Sequence, residues 1–207
     1  MVLTEYSLLI LAGGVGYLIG AIPFAVIIAR LKGVNIFDLG SGNPGATNVL
    51  RNLGKPAGYT CFLLDALKGF VAASWPYWFS IGGEHQATLA VVGLLAAILG
   101  HSCSVFIGFR GGKGVATTIG GLLAVNWMAI LIGVIVWLII FYSTRYVSLA
   151  SILMAVSLPV CSFLLPERPL AEKILIIALS LLIVVRHKSN IVRLMKGTEN
   201  RFQKKQK

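Results

Sequence analysis

The sequence predicts an all-α polytopic membrane helix bundle of about seven transmembrane helices, N-terminus outside and C-terminus cytoplasmic, forming a single integral membrane domain over residues 1–207. Three observations predict it. Of the 207 residues, 57% are hydrophobic and only 12% charged, more apolar surface than one small soluble domain could hide. The apolar residues fall in stretches long enough to cross a bilayer. The basic residues behind the net charge of +11 flank those stretches instead of clustering on a soluble face, so anionic lipid headgroups explain them better than nucleic acid does.

The apolar stretches cover residues 6–29, 57–81, 87–108, 115–142, 146–165 and 169–185. The first holds 24 uncharged residues, roughly 36 Å of helix at about 1.5 Å per residue, against a hydrocarbon core of about 30 Å. Glu5 is the only charge before it and no small-residue cleavage site precedes a soluble domain, so a retained first helix is expected, not a signal peptide. Gly16 and Gly20 within it have the GxxxG spacing of close helix packing. The second stretch contains Asp65 and Lys68, expensive in hydrocarbon unless they pair, which their i, i+3 spacing permits. His101, near the end of the third, is either a satisfied core histidine or an orienting group for the polar segment that follows.

The fourth stretch, 28 residues long, decides the topology. As a single crossing it would put the tail, with Arg186, Lys188, Arg193, Lys196, Arg201, Lys204, Lys205 and Lys207, across the membrane from the two other basic loops, residues 30–56 and 109–114. That conflicts with the positive-inside bias. A split near Asn126 and Trp127 gives seven crossings. Arg168 and Lys173 are then outside and Lys68 is in the membrane, which leaves fifteen of the 18 Lys and Arg in the cytoplasm. Residues 115–125 are about 17 Å of helix, a span only with tilt or a thinned bilayer. Cys61, Cys103 and Cys161 have no CxxC or Cys/His ligand spacing and read as packing residues.

Three polar segments carry the chemistry. The first, "SGNPGATNVLR" at residues 41–51, matches GxGxxG when extended back to Gly40, but a dinucleotide turn needs a strand before it and a membrane helix stands there. What remains is local physics. Glycines such as Gly42 expose backbone N–H groups to an anion, Ser41, Asn43, Thr47 and Asn48 add side-chain hydrogen-bonding groups, and Arg51 can grip a phosphate bidentately; an ordinary capped turn is the plainer alternative. The second, "GFRGGKG" at residues 108–114, fails the Walker pattern because Ile107 and Gly114 stand where Gly and Ser or Thr are required. Gly111, Gly112, Lys113 and Gly114 nevertheless bring N–H groups, a helix start and an ammonium together, which suits an anion, although Arg110 and Lys113 could equally snorkel at the membrane surface. The third, "RHKSNIVRLMKGTE" at residues 186–199, places His187, Asn190 and Ile191 on one face if the helix continues, with Arg193 only loosely completing the next turn. A tail gripping anionic lipid accounts for Arg193 onward equally well.

Residues 41–51, "GHSCSVFIGFRGGKGVAT" at residues 100–117, and residues 186–199 resemble the three cytoplasmic motifs of the bacterial acyl-phosphate-dependent glycerol-3-phosphate acyltransferases, and "LLDALKG" at residues 63–69 also fits. Three matches in order are far more specific than any one. The departure is Ser102, Cys103 and Ser104, where an aromatic residue and proline are common in that family. The resemblance implies a seven-helix bundle in the bacterial plasma (inner) membrane with its active site on the cytoplasmic face. It implies transfer of the acyl group of a fatty acyl phosphate to the 1-hydroxyl of glycerol 3-phosphate, giving lysophosphatidic acid and phosphate in phospholipid synthesis. Ser41, Arg51, Lys113, His187 and Asn190 would surround the phosphates, with Lys113, His187 and Asn190 in catalytic roles. Gly42, Asn43, Thr47, Asn48, Gly111, Gly112 and Gly114 would line the phosphate pocket, and Asp65, Lys68, His101, Thr117, Arg193 and Glu199 would support it. No cofactor, metal or nucleic acid is implied; the partners are the two substrates, membrane lipid, and a functional link to the soluble enzyme that makes acyl phosphate.

The HxxxxD base of the other broad group of glycerolipid acyltransferases is absent, because the fifth positions after the three histidines are Ala90, Phe106 and Val192. No serine or cysteine nucleophile with an adjacent base is identifiable, so direct transfer is expected. A phosphate-ester transporter is the rival from another class, but such proteins tend to show repeated halves and a mid-membrane site. A scaffold recruiting partners through a basic tail would leave the first two motifs unexplained.

Overall fold

The computed structural model describes residues 4–164 and 170–202; Arg168, Lys204, Lys205 and Lys207 of the charge pattern lie outside the described residues. The chain divides into two compact units, Met1–Asn126 and Trp127–Lys207. Helices dominate both, and among the described residues a single bridge pairing outside them joins Ser104 to Arg110.

The first unit holds α1 (Glu5–Ala21), α2 (Phe24–Leu31), α3 (Ala46–Leu53), α4 (Lys55–Trp78), α5 (Gln86–Ser102) and α6 (Val115–Val125). α1 starts where the Thr4 hydroxyl accepts the Ser7 N–H at 3.3 Å, an N-cap. The expected uninterrupted helix over residues 6–29 is broken at Ile22 and Pro23, because proline brings no N–H and its ring crowds the preceding turn. The apolar run conceals this break, since both sides of it are hydrophobic. The polar stretch after α2 is also not all loop: α3 forms within the first motif, and α4 begins at Lys55 after the left-handed Gly54 (φ 89°).

Small residues set the helix packing in this unit. α1 lies along α5 and α4 along α6, with Gly16 and Gly20 facing the backbone of Gly93 and Ala97, as the GxxxG spacing predicts. Across the other pair, Gly69 abuts the Thr117 carbonyl and Gly120 the Ala66 carbonyl so closely that neither position has room for a Cβ. Thr117 itself is fully buried in this crossing.

The second unit holds α7 (Trp127–Thr144), α8 (Val147–Leu164), α9 (Leu170–Arg186) and α10 (Lys188–Met195). The long fourth apolar stretch is split where charge bias requires: α6 ends at Val125, the fully buried Asn126 caps it, and α7 starts at Trp127. α7 packs on α8 and α8 on α9; the Trp137 indole N–H donates to the Ser151 hydroxyl at 3.2 Å, keeping that polar pair satisfied among apolar helices. α9 and α10 are not one continuing helix, because the chain bends by 55° at His187.

Four helical stretches among the described residues are long and apolar enough to cross a membrane: Glu5–Leu31, Gly83–Ser102, Trp127–Thr144 and Val147–Leu164. The bent pair Glu172–Arg186 and Lys188–Met195 makes a fifth if its two helices are counted as one broken span. α4, at 24 residues, has the length to span, roughly 36 Å, but carries a buried acid and a buried base. The molecule is an all-helical integral membrane protein.

Packing at Gly120 gives a prediction. Gly120→Ala should destabilise the purified protein by about 2 kcal/mol through overpacking against Ala66, whereas Gly14→Ala, where a Cβ meets nothing within 4 Å, should be neutral or slightly stabilising; thermal unfolding in detergent compares them.

Candidate functional site

Asp65 and Lys68 sit one turn apart on α4 with the carboxylate and ammonium 2.8 Å apart and both side chains 3% exposed, the pairing their spacing predicts. The ammonium also donates to the Ile22 carbonyl at 3.0 Å and lies 5.6 Å from the centre of the Phe24 ring. A helix end leaves carbonyls of its last turn without intrahelical partners. At the α1–α2 break, Lys68 takes the Ile22 carbonyl and the Ser104 hydroxyl takes the Ala21 carbonyl at 2.5 Å. The His101 Nδ1 approaches Asp65 at 3.5 Å, and its ring edge at Nε2 lies directly against Gly112. His101 thus both belongs to the buried cluster and shapes the segment after it.

The second motif is a hairpin between α5 and α6. The Ser104 N–H donates to the Arg110 carbonyl at 2.9 Å and the Phe109 N–H to the Ser104 carbonyl at 2.8 Å, while the Gly112 N–H donates to the His101 carbonyl at 3.1 Å. Gly111 and Gly112 pass too close to His101 and Ser102 for any side chain, and Gly114 enters α6 from the left-handed region (φ 79°), where only glycine is unstrained. Lys113 is half-buried at the start of α6, next to the positive end of that helix. Arg110 stacks on the Phe37 ring at 5.2 Å, a contact from the second motif to the segment leading into the first.

The first motif is part turn and part helix. The Ser41 N–H donates to Asn48 Oδ1 at 3.1 Å, and Asn48 Nδ2 donates to the Leu39 carbonyl at 2.9 Å. Asn48 is 4% exposed, so its side chain folds the turn, a structural task that the family resemblance does not imply. Ser41 is exposed, Gly42 and Asn43 are half-buried, and Thr47 and Arg51 share one face of α3 at i, i+4 with partial exposure. A cavity of about 10 Å³, room for about one water, lies among Pro44, Asp65, Lys68, His101, Gly111 and Gly112. Parts of the first and second motifs therefore meet over the buried cluster. Ser104 is the supporting residue the sequence did not reveal: its hydroxyl and backbone serve both the hairpin and the helix break.

The third motif is organised by Glu199. Its Oε1 accepts from Asn190 Nδ2 at 2.8 Å and from the Ser148 hydroxyl at 2.9 Å, and its Oε2 accepts from Arg193 Nε at 2.7 Å. Arg193 therefore has a structural partner and is not simply a lipid-gripping cation. The bend at His187 leaves its carbonyl accepting from the Asn190 and Ile191 N–H groups, both at 2.9 Å. His187 Nδ1 lies 2.8 Å from the Ile183 carbonyl; a carbonyl only accepts, so Nδ1 carries the proton and Nε2 is the basic nitrogen of the neutral ring.

Burial pushes the Glu199 carboxyl up, but hydrogen bonds from Asn190, Arg193 and Ser148, with the Arg193 charge, outweigh it and hold the group below its ordinary range. A depressed carboxylate stabilises the fold above its unfolded pKa of about 4.3, and that stabilisation is lost as pH falls through the lower folded value. Glu199→Gln should therefore lower the unfolding midpoint at neutral pH by several degrees. The gap from the parent protein should hold down to about pH 5 and close below it; thermal unfolding across that range measures both.

Comparison with known proteins places this geometry. The family model described as glycerol-3-phosphate acyltransferase matches residues 9–197. The glycerol-3-phosphate acyltransferase of Albidiferax ferrireducens is 46% identical over 92% of this chain and 87% of its own length. That of Aquifex aeolicus is 46% identical over 90% of this chain and 95% of its own. The crystal structure of PlsY, an integral membrane glycerol 3-phosphate acyltransferase in its glycerol 3-phosphate form, superposes with a TM-score of 0.88 at 42% identity, covering 94% of this chain and 96% of that one. By the family match over residues 9–197 and by these relatives, the chain belongs to the glycerol-3-phosphate acyltransferase family.

Proposed function

We propose that the chain transfers the acyl group of a fatty acyl phosphate to the 1-hydroxyl of glycerol 3-phosphate, giving lysophosphatidic acid and phosphate for phospholipid synthesis. It does so at the cytoplasmic face of the bacterial inner membrane. The observation that carries this is that Pro44 of the first motif and Gly111 and Gly112 of the second line one small cavity over the buried Asp65–Lys68–His101 cluster, since both substrates bear phosphate. The solved PlsY structures in glycerol 3-phosphate and lysophosphatidic acid forms support the acceptor and product.

Seven crossings follow if α1 with α2, then α4, α5, α6, α7, α8 and α9 each span once, with the N-terminus outside. The separation of α6 from α7 at Asn126 supports that count. α6 is 11 residues long, about 17 Å, and reaches across only with a thinned bilayer or help from the Gly111–Gly114 turn.

Ser41 and Arg51 in the first motif and Lys113 in the second bind phosphate oxygens, with Gly42, Asn43, Thr47, Gly111, Gly112 and Gly114 lining the pocket. Asn48 acts by holding the first turn in shape, and His187 and Asn190 contribute from the third motif. An acyl phosphate is an activated mixed anhydride, so positioning and charge neutralisation supply much of the acceleration. The glycerol-phosphate hydroxyl oxygen attacks the acyl carbon and the bond from that carbon to the phosphate oxygen breaks. Phosphate leaves with the electron pair, stabilised by Lys113 and backbone N–H groups, and one of its oxygens takes the hydroxyl proton. His187 is the alternative acceptor for that proton. The enzyme works with acyl phosphate supplied by a soluble partner enzyme, and with no cofactor.

Purified protein given acyl phosphate and glycerol 3-phosphate in detergent should form lysophosphatidic acid and phosphate in equal amounts, which a transporter or scaffold would not do. Lys113→Ala should lose about 100-fold or more in turnover, and little loss would remove Lys113 from this role. If His187→Gln abolishes turnover without weakening glycerol-phosphate binding, the proton goes to His187 and not to the substrate.

A further inference from the structure

The second-motif hairpin carries an apolar tip that neither the fold nor the chemistry uses. Val105, Phe106 and Phe109 are 45%, 59% and 68% exposed, and Phe109 adopts a left-handed backbone (φ 57°). That conformation is costly for a bulky side chain, and at this exposure Phe109 recovers little by packing within its own chain. Glycine or asparagine would turn the chain there with less strain.

The height of this tip is set by the helices it joins. The helical stretch Gly83–Ser102 is 20 residues long, with Glu84, His85 and Gln86 at one polar end, His101 and Ser102 at the other, and an apolar run between them; its length of about 30 Å is comparable to the hydrocarbon core. Its end at Ser102 therefore falls at the core boundary. The hairpin starts at the next residue and returns into the apolar α6 at Val115. Residues 103–114 are thus confined to the headgroup layer, where aromatic side chains settle and where the exposed Arg110 suits lipid phosphate.

We propose that Phe106 and Phe109 insert into the interfacial layer of the bilayer in which the protein sits, and so fix the depth of the Gly111–Gly114 turn, which starts two positions after Phe109. The occupant of this apolar tip is lipid. The consequence for catalysis rests on the acyl-phosphate reading above: the reacting head of a membrane-dissolved acyl phosphate lies at the same level as the turn. Glycerol 3-phosphate, which arrives from water, does not depend on that level.

The test uses the full chain in vesicles of phosphatidylethanolamine and phosphatidylglycerol. Single nitroxide labels at positions 106 and 109, with Cys61, Cys103 and Cys161 replaced by alanine, should be reached more readily by dissolved oxygen than by a water-soluble nickel chelate. The reverse order at both positions overturns the proposal. In the unlabelled chain, Phe106→Ser/Phe109→Ser should raise KM for acyl phosphate about fivefold, leaving KM for glycerol 3-phosphate and the unfolding midpoint unchanged, and Phe106→Leu/Phe109→Leu should restore it. Equal rises in both KM values, or none, overturn the depth-setting role. If the parent protein makes no lysophosphatidic acid while the labels still report lipid, the acyl-phosphate reading fails and the anchoring stands.

Discussion

The buried ion pair between Asp65 and Lys68 is the constraint around which the first unit is arranged. Two opposite charges within an apolar helix are costly to desolvate, and they persist only where geometry and further hydrogen bonds compensate. Here the compensation comes from outside α4. Lys68 needs an acceptor besides the carboxylate and finds it in the Ile22 carbonyl, which the break before α2 exposes. Asp65 faces His101, whose ring and carbonyl mould the Gly111–Gly112 turn. One pair on one helix thereby ties the exit of the first helix, the approach to the first motif and the whole of the second.

Close backbone contact is the other half of the design. Hydrophobic drive between helices is weak in lipid, so packing relies on backbones brought together at small residues. Gly69 and Gly120 bring α4 and α6 together at the level of the buried pair, and α6 begins with the turn that carries Lys113. The Gly111–Gly114 turn is therefore anchored at one end by a histidine and at the other by a helix held against the charged cluster. In the second unit Glu199 has the same function on a smaller scale, collecting Ser148, Asn190 and Arg193 around one carboxylate.

Much of this was legible in the sequence because the membrane restricts what a sequence can do. Charge asymmetry located the split at Asn126, residue spacing foretold the Asp65–Lys68 pair, and three separated motifs identified the family. The rest depended on contacts between distant segments. Pro23 lies inside an unbroken apolar run, so hydropathy concealed the end of α1. α3 is eight residues long and starts behind a glycine without a side-chain cap, which left no local signal for a helix in the first motif. Asn48 looks like a pocket residue in sequence and proves to be a turn-former, because its partners at Ser41 and Leu39 are set by the folded loop. The Ser104 hydroxyl finds its acceptor in the Ala21 carbonyl, 83 positions away. The bend at His187 is likewise invisible in a helical periodicity that continues past it.

The central claim is that the buried cluster on α4 acts on catalysis through His101 and the second motif. A double-mutant cycle with Asp65→Asn and His101→Gln, read as kcat/KM for acyl transfer, tests it most directly. The account predicts strong coupling, with the double variant no worse than the weaker single one, because both changes loosen the same contact to Gly112. Fully additive losses in correctly folded proteins would mean that the two residues act independently and would contradict the account.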